Sequence, residues 1–252
     1  MRISGGTHKG KKLLGPPESA QTRPLPSVVK EALFNLLRGH WEGARVFDGF
    51  AGTGSFGLEA VSRGAEHVVF FEKDRRVAAV LEKNARDMGV LDRCEIVTGD
   101  ALSPAALARC PRPADIVFFD PPYPLVRDPE QWPRVSLAFS RLIDRLADTG
   151  FACLRTPSPF YHVVPDEDAT EGGRPAPEPE VVVIDGDAMV EMTDEELDAL
   201  DEDDDWAEFF EGPQKHPVRR VDVPLRLDNA DGPETHVYRH TALHLYMKKG
   251  CG

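Results

Sequence analysis

The chain has 252 residues, of which 41% are hydrophobic, and its formal net charge is −13. That length and composition allow one well-buried domain with an insertion. Taken alone, the negative charge argues against a nucleic-acid partner. However, residues 164–212 hold 20 acidic residues and one arginine, so this stretch carries −19 and the other 203 residues carry +6. A mildly basic body with a separate acidic insert is therefore compatible with a polyanionic partner.

The cysteines and the apolar segments argue against several further classes of protein. The four cysteines, Cys94, Cys110, Cys153 and Cys251, show no CxxC spacing, so we expect neither a disulfide framework nor a zinc site. The N-terminus lacks the apolar stretch of a signal peptide, and no apolar run approaches membrane-spanning length. We therefore expect a soluble, cytoplasmic protein that does not bind membranes.

Residues 1–40 are predicted to form a flexible basic arm followed by a helix. They contain seven Lys and Arg against two Glu, which gives a local charge of +5. Backbone phosphates of a nucleic acid are the natural partner of such an arm. The predicted contacts are Arg2, Lys9, Lys11, Lys12 and Arg23. Ser27 is a favourable cap for the helix, which buries Val29, Leu33, Leu36 and Leu37 on one face.

From residue 44 onward, apolar strands alternate with helices. The predicted strands are 44–48, 67–72, 94–100, 114–120 and 150–155, and the helices between them are 57–63, 74–88, 104–108 and 133–147. Near-continuous apolar strands separated by helices are typical of a parallel, doubly wound α/β sheet. We expect residues 218–227 and 235–249 to add an antiparallel hairpin at the sheet edge. The chain thus divides into an N-terminal arm and helix (1–40), an α/β core (41–163), a partly disordered acidic insertion (164–215) and C-terminal edge strands (216–252).

A glycine-rich loop follows the first strand. Residues 52–57 read Gly-Thr-Gly-Ser-Phe-Gly and match GxGxxG between a strand and a helix, where backbone approaches a ligand closely. Glu72 ends the next strand, where a carboxylate holds ribose hydroxyls. Asp48 lies before the loop, where it would repel a pyrophosphate but suit an ammonium group. Together with Asp100 after the third strand, these acids favour S-adenosylmethionine over NAD.

The stretch Asp120-Pro121-Pro122-Tyr123 follows the fourth strand. The Asp120 carboxylate and the Pro121 carbonyl can accept the two N–H bonds of a base amine and hold its lone pair toward a methyl donor. Proline fixes the backbone and removes competing N–H donors. Tyr123 offers a flat face for an extruded base. The four residues therefore predict methyl transfer to an exocyclic amine, without indicating which amine.

The sequence resembles a known family in these motifs. Residues 48–60, 70–74, 99–101 and 118–123 look like class I methyltransferases that modify exocyclic amines, and residues 1–13, 22–24 and 30–37 are similar to the RsmD family. That resemblance implies a Rossmann-like seven-stranded sheet, a monomer, and methylation of guanine N2 in bacterial small-subunit (16S) ribosomal RNA. It implies that the cofactor is bound by Asp48, Phe50, Ala51, Gly52, Thr53, Gly54, Glu72, Asp100 and Ala101.

Two alternatives stay open at this point. An adenine-N6 methyltransferase of DNA or RNA would use the same Asp-Pro-Pro-Tyr, and a non-catalytic ribosome assembly factor would keep the motifs without turnover. A metal site is not expected. His236, His240 and His244 recur every four residues, but in a strand that spacing separates neighbouring members by about 13 Å, too far to share one ion.

Overall fold

The computed structural model describes residues 1–17, 27–165 and 218–250. The predicted contact Arg23 and nearly all of the acidic insertion lie outside these ranges. The helices are α1 (Ser27–Leu36), α2 (Ser55–Ser62), α3 (Arg75–Met88), α4 (Pro104–Arg109), α5 (Tyr123–Arg127) and α6 (Trp132–Ile143). The strands are β1 (Arg45–Gly49), β2 (His67–Glu72), β3 (Cys94–Thr98), β4 (Ala114–Phe119), β5 (Leu146–Pro157), β6 (Tyr161–Pro165), β7 (Val218–Asp222), β8 (Ala230–Tyr238) and β9 (Thr241–Lys248).

In the described part of the chain, seven strands form one sheet in the order β3-β2-β1-β4-β5-β9-β8. Strands β1 to β5 pair in parallel, and β9 pairs antiparallel with both β5 and β8. Apolar residues of α1, α2 and α3 pack on one face of the sheet, and those of α4, α5 and α6 pack on the other. The prediction of a Rossmann-like, mostly parallel seven-stranded sheet is therefore confirmed. None of the described helices is long and apolar enough to cross a bilayer.

Strands β1 to β4 lie within two residues of their predicted bounds, but two predictions further along the chain are wrong. Helix α6 ends at Ile143 rather than at residue 147, and β5 already begins at Leu146. The predicted hairpin of residues 218–227 with 235–249 does not form. Residues 218–222 pair instead with 161–165 in a separate two-stranded ribbon, β6–β7.

The second error has a local cause. Arg239 adopts a φ of 46°, and the chain reverses between Tyr238 and Thr241, so the predicted single strand 235–249 divides into parts of β8 and β9. The alternation of apolar and polar residues in 235–249 is typical of a strand with one exposed face, which β9 does not have. β9 lies between β5 and β8, so Leu243 on one face and Tyr246 on the other are both buried.

The N-terminal segment packs against α2 instead of extending as a flexible arm. The backbone N–H groups of Ser4 and Gly5 donate to the Glu59 carboxylate at 2.8 and 2.7 Å. Lys30 of α1 completes the contact with a 3.2 Å ion pair to the same carboxylate, which is fully buried. Ile3 and Leu13 are also buried. Residues 1–13 are therefore folded against the core, with Ile3 and Leu13 inserted into it.

Candidate active site

The glycine loop joins β1 to α2 in a conformation that requires glycine. Gly52 and Gly54 have φ angles of +55° and +83°, in the left-handed region. A Cβ atom at Gly54 would lie 2.0 Å from Cδ1 of Leu81, so this glycine allows α2 and α3 to pack closely. A Cβ at Gly52 would meet no atom within 4 Å. The loop therefore has open space beside Gly52, on the side where a ligand would approach the backbone.

Asp48 lies at the base of this loop and is only 1% exposed. Its Oδ2 accepts the N–H of Gly57 at 2.9 Å. Burial raises the pKa of Asp48 to about 8, against the lowering effect of the Gly57 hydrogen bond. The negative charges of Asp120 and Glu72 raise it further. A cation bound beside Asp48 would relieve this repulsion, which fits the predicted contact with a methionine ammonium group.

Glu72 ends β2 and braces the loop. Its Oε2 accepts the N–H of Gly52 at 2.9 Å, and its Oε1 accepts the N–H of Asp74 at 2.8 Å. The side chain is therefore fixed, with each oxygen using one of its lone pairs on the backbone. A carboxylate oxygen has a second acceptor position, so the predicted hydrogen bonds to ribose hydroxyls remain possible.

Asp100 and Ala101 follow β3 at the same edge of the sheet. Asp100 Oδ1 accepts the N–H of Leu102 at 2.9 Å, and Oδ2 pairs with Nη2 of Arg134 at 2.7 Å. Ala101 is buried. Sequence reasoning did not foresee Arg134, because it lies on α6, far from Asp100 in the chain. An adenine amine at Asp100 would have to share the carboxylate with this arginine.

Residues 120–123 extend β4 beside the end of β1. The N–H of Asp120 donates to the carbonyl of Gly49 at 3.3 Å, so the turn begins directly next to the glycine loop. Tyr123 opens α5, and its hydroxyl donates to Oγ1 of Thr241 at 2.7 Å. Thr241 in turn donates to the carbonyl of Thr156 at 3.1 Å. The tyrosine is thus held by β9 through its hydroxyl.

Arg155 is a second site residue that sequence reasoning missed. Its Nε lies 2.5 Å from Oδ1 of Asp120, and its guanidinium carbon lies 5.2 Å from the ring centre of Tyr123. The two charged side chains are 12% and 14% exposed. Arg155 ends the predicted strand 150–155, so its place at the same edge as the four acids follows from the sequence, whereas its pairing with Asp120 does not.

The predicted nucleic-acid contacts of the N-terminal segment lie away from this site. Arg2, Lys9, Lys11 and Lys12 are exposed. The ammonium group of Lys11 donates to the carbonyl of Asp87 at 2.7 Å, near the end of α3. Since α3 begins beside the carboxyl edge of the sheet, this contact lies about 18 Å further along the helix. The Lys11 ammonium group therefore lies near the end of α3 that is farther from the carboxyl edge of the sheet.

The histidines do not come together either. His244 is buried between Oγ1 of Thr156 at 2.8 Å and Oγ1 of Thr235 at 2.9 Å, and its burial lowers its pKa to about 4. His236 instead pairs with Glu234 at 2.9 Å. Within the described ranges, no group of three or more His, Cys, Asp or Glu side chains is arranged to hold a metal ion.

The sheet order, the glycine loop after β1 and the acceptor turn after β4 together define a Rossmann-like fold of the class I methyltransferase type. The chain belongs to the family described as "Conserved hypothetical protein 95", whose model matches residues 1–135. The resemblance to RsmD stated from the sequence is confirmed by curated relatives named "Ribosomal RNA small subunit methyltransferase D".

Two of these relatives and one solved structure define the extent of the similarity. The protein from Haemophilus influenzae is 37% identical over 130 residues, and that from Escherichia coli K12 is 40% identical over 123 residues. Each alignment covers 49% of this chain, and they cover 64% and 60% of the relatives, so the chain spans less than two thirds of their length. A structure described as "Putative methyltransferase yhhF from Escherichia coli" is 24% identical, with a TM-score of 0.62 over 99% of this chain and 98% of that one. At that identity the structure supports the fold alone.

Proposed function

We propose that the protein transfers a methyl group from S-adenosylmethionine to an exocyclic amine of an RNA base, and that this amine is N2 of a guanine in 16S ribosomal RNA. One observation carries the chemistry: the acceptor turn at Asp120 lies next to the glycine loop, close enough for the charge of Asp120 to raise the pKa of Asp48. The choice of ribosomal RNA rests on the names of the relatives, and the choice of guanine N2 rests on the RsmD resemblance.

The residues around the loop fit this cofactor. When bound, S-adenosylmethionine supplies an electrophilic methyl group on a positively charged sulfur. Asp48 would hold the methionine ammonium group, Glu72 the ribose hydroxyls, and Asp100 with Ala101 the adenine. The support for this assignment is electrostatic, since Asp48, Glu72 and Asp120 form a negative site that favours a cationic ligand. The remaining proposed contacts are backbone atoms and side chains of Phe50, Ala51, Gly52, Thr53 and Gly54.

The acceptor turn would orient the target base. Asp120 and the Pro121 carbonyl each accept one N–H of the amine, which leaves the nitrogen lone pair directed at the loop and stabilises the positive charge that the nitrogen gains. The ring of Tyr123 supports the base, and Pro122 keeps the turn rigid. After transfer, the nitrogen loses its extra proton to Asp120 or to water.

The setting of this reaction follows from the same proposal. The partner is 16S ribosomal RNA, naked or within the small ribosomal subunit, and the protein acts as a cytoplasmic monomer. Arg2, Lys9, Lys11, Lys12 and Arg23 remain the RNA contacts predicted from sequence.

The test is methyl transfer from labelled S-adenosylmethionine to unmodified small-subunit RNA and to small-subunit particles, followed by mass analysis of the nucleosides. We expect N2-methylguanosine with the wild-type protein and at least a 100-fold lower rate with Asp120→Asn, which keeps the shape but loses the charge. N6-methyladenosine would contradict the guanine assignment. Cofactor binding without transfer to any RNA would contradict the enzymatic proposal and favour an assembly factor.

A further inference from the structure

The ribbon β6–β7 lies beside the acceptor turn. Nε2 of His162 donates to the carbonyl of Val126 at 2.9 Å, which fixes the ribbon to α5, the helix that begins at Tyr123. The His162 ring also lies 5.8 Å from Phe160 and 6.3 Å from Trp132, measured between ring centres. Because β6 follows closely after β5, it leaves the sheet at the edge that carries Arg155. The ribbon therefore lies at the same edge of the sheet as the acceptor turn.

Two arginines lie against one tyrosine on this ribbon. The guanidinium carbons of Arg127 and Arg220 lie 5.2 and 4.7 Å from the ring centre of Tyr161. Arg127 comes from α5 and Arg220 from β7, so the cluster joins the ribbon to the helix of the acceptor turn. Arg219 and Arg220 are exposed. An arginine stacked on a ring uses the face of its guanidinium group and keeps the N–H donors at its edge for other partners.

Neither of the two nearby carboxylates forms an ion pair with these arginines in the described part of the chain. Asp128 accepts the N–H of Glu130 at 2.8 Å, and Asp222 lies opposite Tyr161 in the ribbon register. Among the described residues, neither of them nor any other carboxylate forms an ion pair with Arg127 or Arg220. The two guanidinium groups are at most about 10 Å apart, within one Debye length, so both contribute to the potential that an anion near Tyr161 would meet.

We propose that Arg127, Tyr161, Arg219 and Arg220 form an RNA-binding surface for the single-stranded segment that flanks the target nucleotide. This inference rests on the proposed function. A base that is methylated on an amine inside a duplex must leave the stack, so the RNA beside it is single-stranded at the moment of transfer. Phosphates suit the planar guanidinium donors. Aromatic rings interleaved with arginines are the usual surface for single strands.

The experiment compares three multiple variants with the wild-type protein: Arg127→Ala with Arg220→Ala, the charge-conserving Arg127→Lys with Arg220→Lys, and Lys9, Lys11 and Lys12 changed together to Ala. The matched control is Arg141→Ala. Arg141 is exposed and lies in the last turn of α6, whereas the ribbon contacts Trp132 at the start of that helix. RNA affinity is measured at several salt concentrations with a fragment that contains the target. The rate of a single turnover is measured at saturating RNA, and S-adenosylmethionine affinity reports on folding.

We expect the double alanine variant to bind RNA about 10- to 100-fold more weakly. The slope of log affinity against log salt should fall by about 1.4 if two phosphate contacts are lost, at about 0.7 per contact for a single strand. Its cofactor affinity and its rate at saturating RNA should stay within about two-fold of wild type, because neither arginine contacts the acceptor turn. The lysine double variant should keep most of the RNA affinity, and Arg141→Ala should keep all of it.

Two outcomes separate this inference from the function on which it rests. If the wild-type protein methylates RNA and the double alanine variant binds RNA with unchanged affinity and salt slope, the surface is wrong and the proposed function stands. If the wild-type protein transfers no methyl group to any RNA, the proposed function fails, and this surface fails with it. A loss of affinity confined to the Lys9, Lys11 and Lys12 variant would place RNA on the N-terminal segment instead.

Discussion

Replacing Arg155 with alanine removes the cation that contacts the carboxylate of the acceptor turn. Burial raises the pKa of Asp120, and the charge and hydrogen bond of Arg155 oppose that rise. With charge centres about 4 Å apart and an effective dielectric constant of about 20, the lost attraction is about 4 kcal/mol, or about 3 pH units. Measured shifts for such pairs are about 1 to 3 units. The pKa of Asp120 should therefore rise by that amount in Arg155→Ala.

The pH dependence of a single turnover, at saturating RNA and cofactor, measures this change. In the proposed reaction the ionised Asp120 is the stronger acceptor for the amine N–H and stabilises the positive charge that the nitrogen gains, so the rate should fall as the pH falls through the Asp120 pKa. In Arg155→Ala this acidic limb should move to higher pH by about 1 to 3 units. Arg155→Lys should bring it back toward wild type, because it restores the charge.

A purely structural role for Arg155 would lower the rate equally at every pH. An acidic limb at the same pH in the wild-type and alanine proteins would therefore refute the reasoning. Asp120→Asn is the control, since its amide does not titrate and its residual rate should lack the limb.

Three further changes test the architecture around the site. Asp48→Asn should weaken S-adenosylmethionine binding at least 10-fold. The wild-type protein loses stability as the pH rises from about 4 through 8, because the pKa of Asp48 in the folded state is about 8. Without ligand, Asp48→Asn should therefore stabilise the protein against chemical unfolding by up to about 5 kcal/mol. Gly54→Ala should cost about 2–4 kcal/mol in the same assay, whereas Gly89→Ala, with a similar φ of +71° but open space around it, should cost about 1 kcal/mol. Glu59→Gln leaves the buried Lys30 without its counter-charge, so we expect a loss of about 3–5 kcal/mol and faster hydrogen exchange in residues 2–13. Equal costs at the two glycines, or unchanged exchange in the N-terminal segment, would contradict these readings.

The parallel half of the fold was predictable because its strands are buried on both faces and separated by helices. Residues 67–72 show this well, since the observed β2 has the predicted bounds. The C-terminal half was not predictable in the same way. An alternating sequence such as 235–249 fits a half-exposed strand, but nothing local states that it folds back at Arg239 or that β8 covers its outer edge. The pairing of residues 161–165 with 218–222 likewise depends on tertiary contacts, because the two segments are far apart in the sequence.

The candidate site was predictable where a local motif carries the chemistry. The glycine loop and the acids at strand ends needed only the rule that ligands bind at the carboxyl edge of a parallel sheet. Arg155 and Arg134 required knowledge of which strand or helix lies beside which acid. The prediction of a flexible arm at the N-terminus was wrong because its own residues do not show what holds it. Its lysines and glycines look like a flexible arm, while the residue that holds it, Glu59, lies on α2 and shows no signal in the segment itself.

The site combines three carboxylates with one arginine, and the two kinds of charge have different effects. Asp48, Glu72 and Asp120 converge on the loop, and a site with three carboxylates lowers its own energy by taking up a proton or a cation. Asp48 has no described cation beside it, so the proposed cationic ligand would favour its ionised form. In the proposed reaction Asp120 would accept a hydrogen bond from a neutral amine, which carries no charge to offset its burial. Arg155 lies on β5, on the side of Asp120 opposite β1, and its charge opposes the rise in the Asp120 pKa that burial causes, whether or not a base is bound.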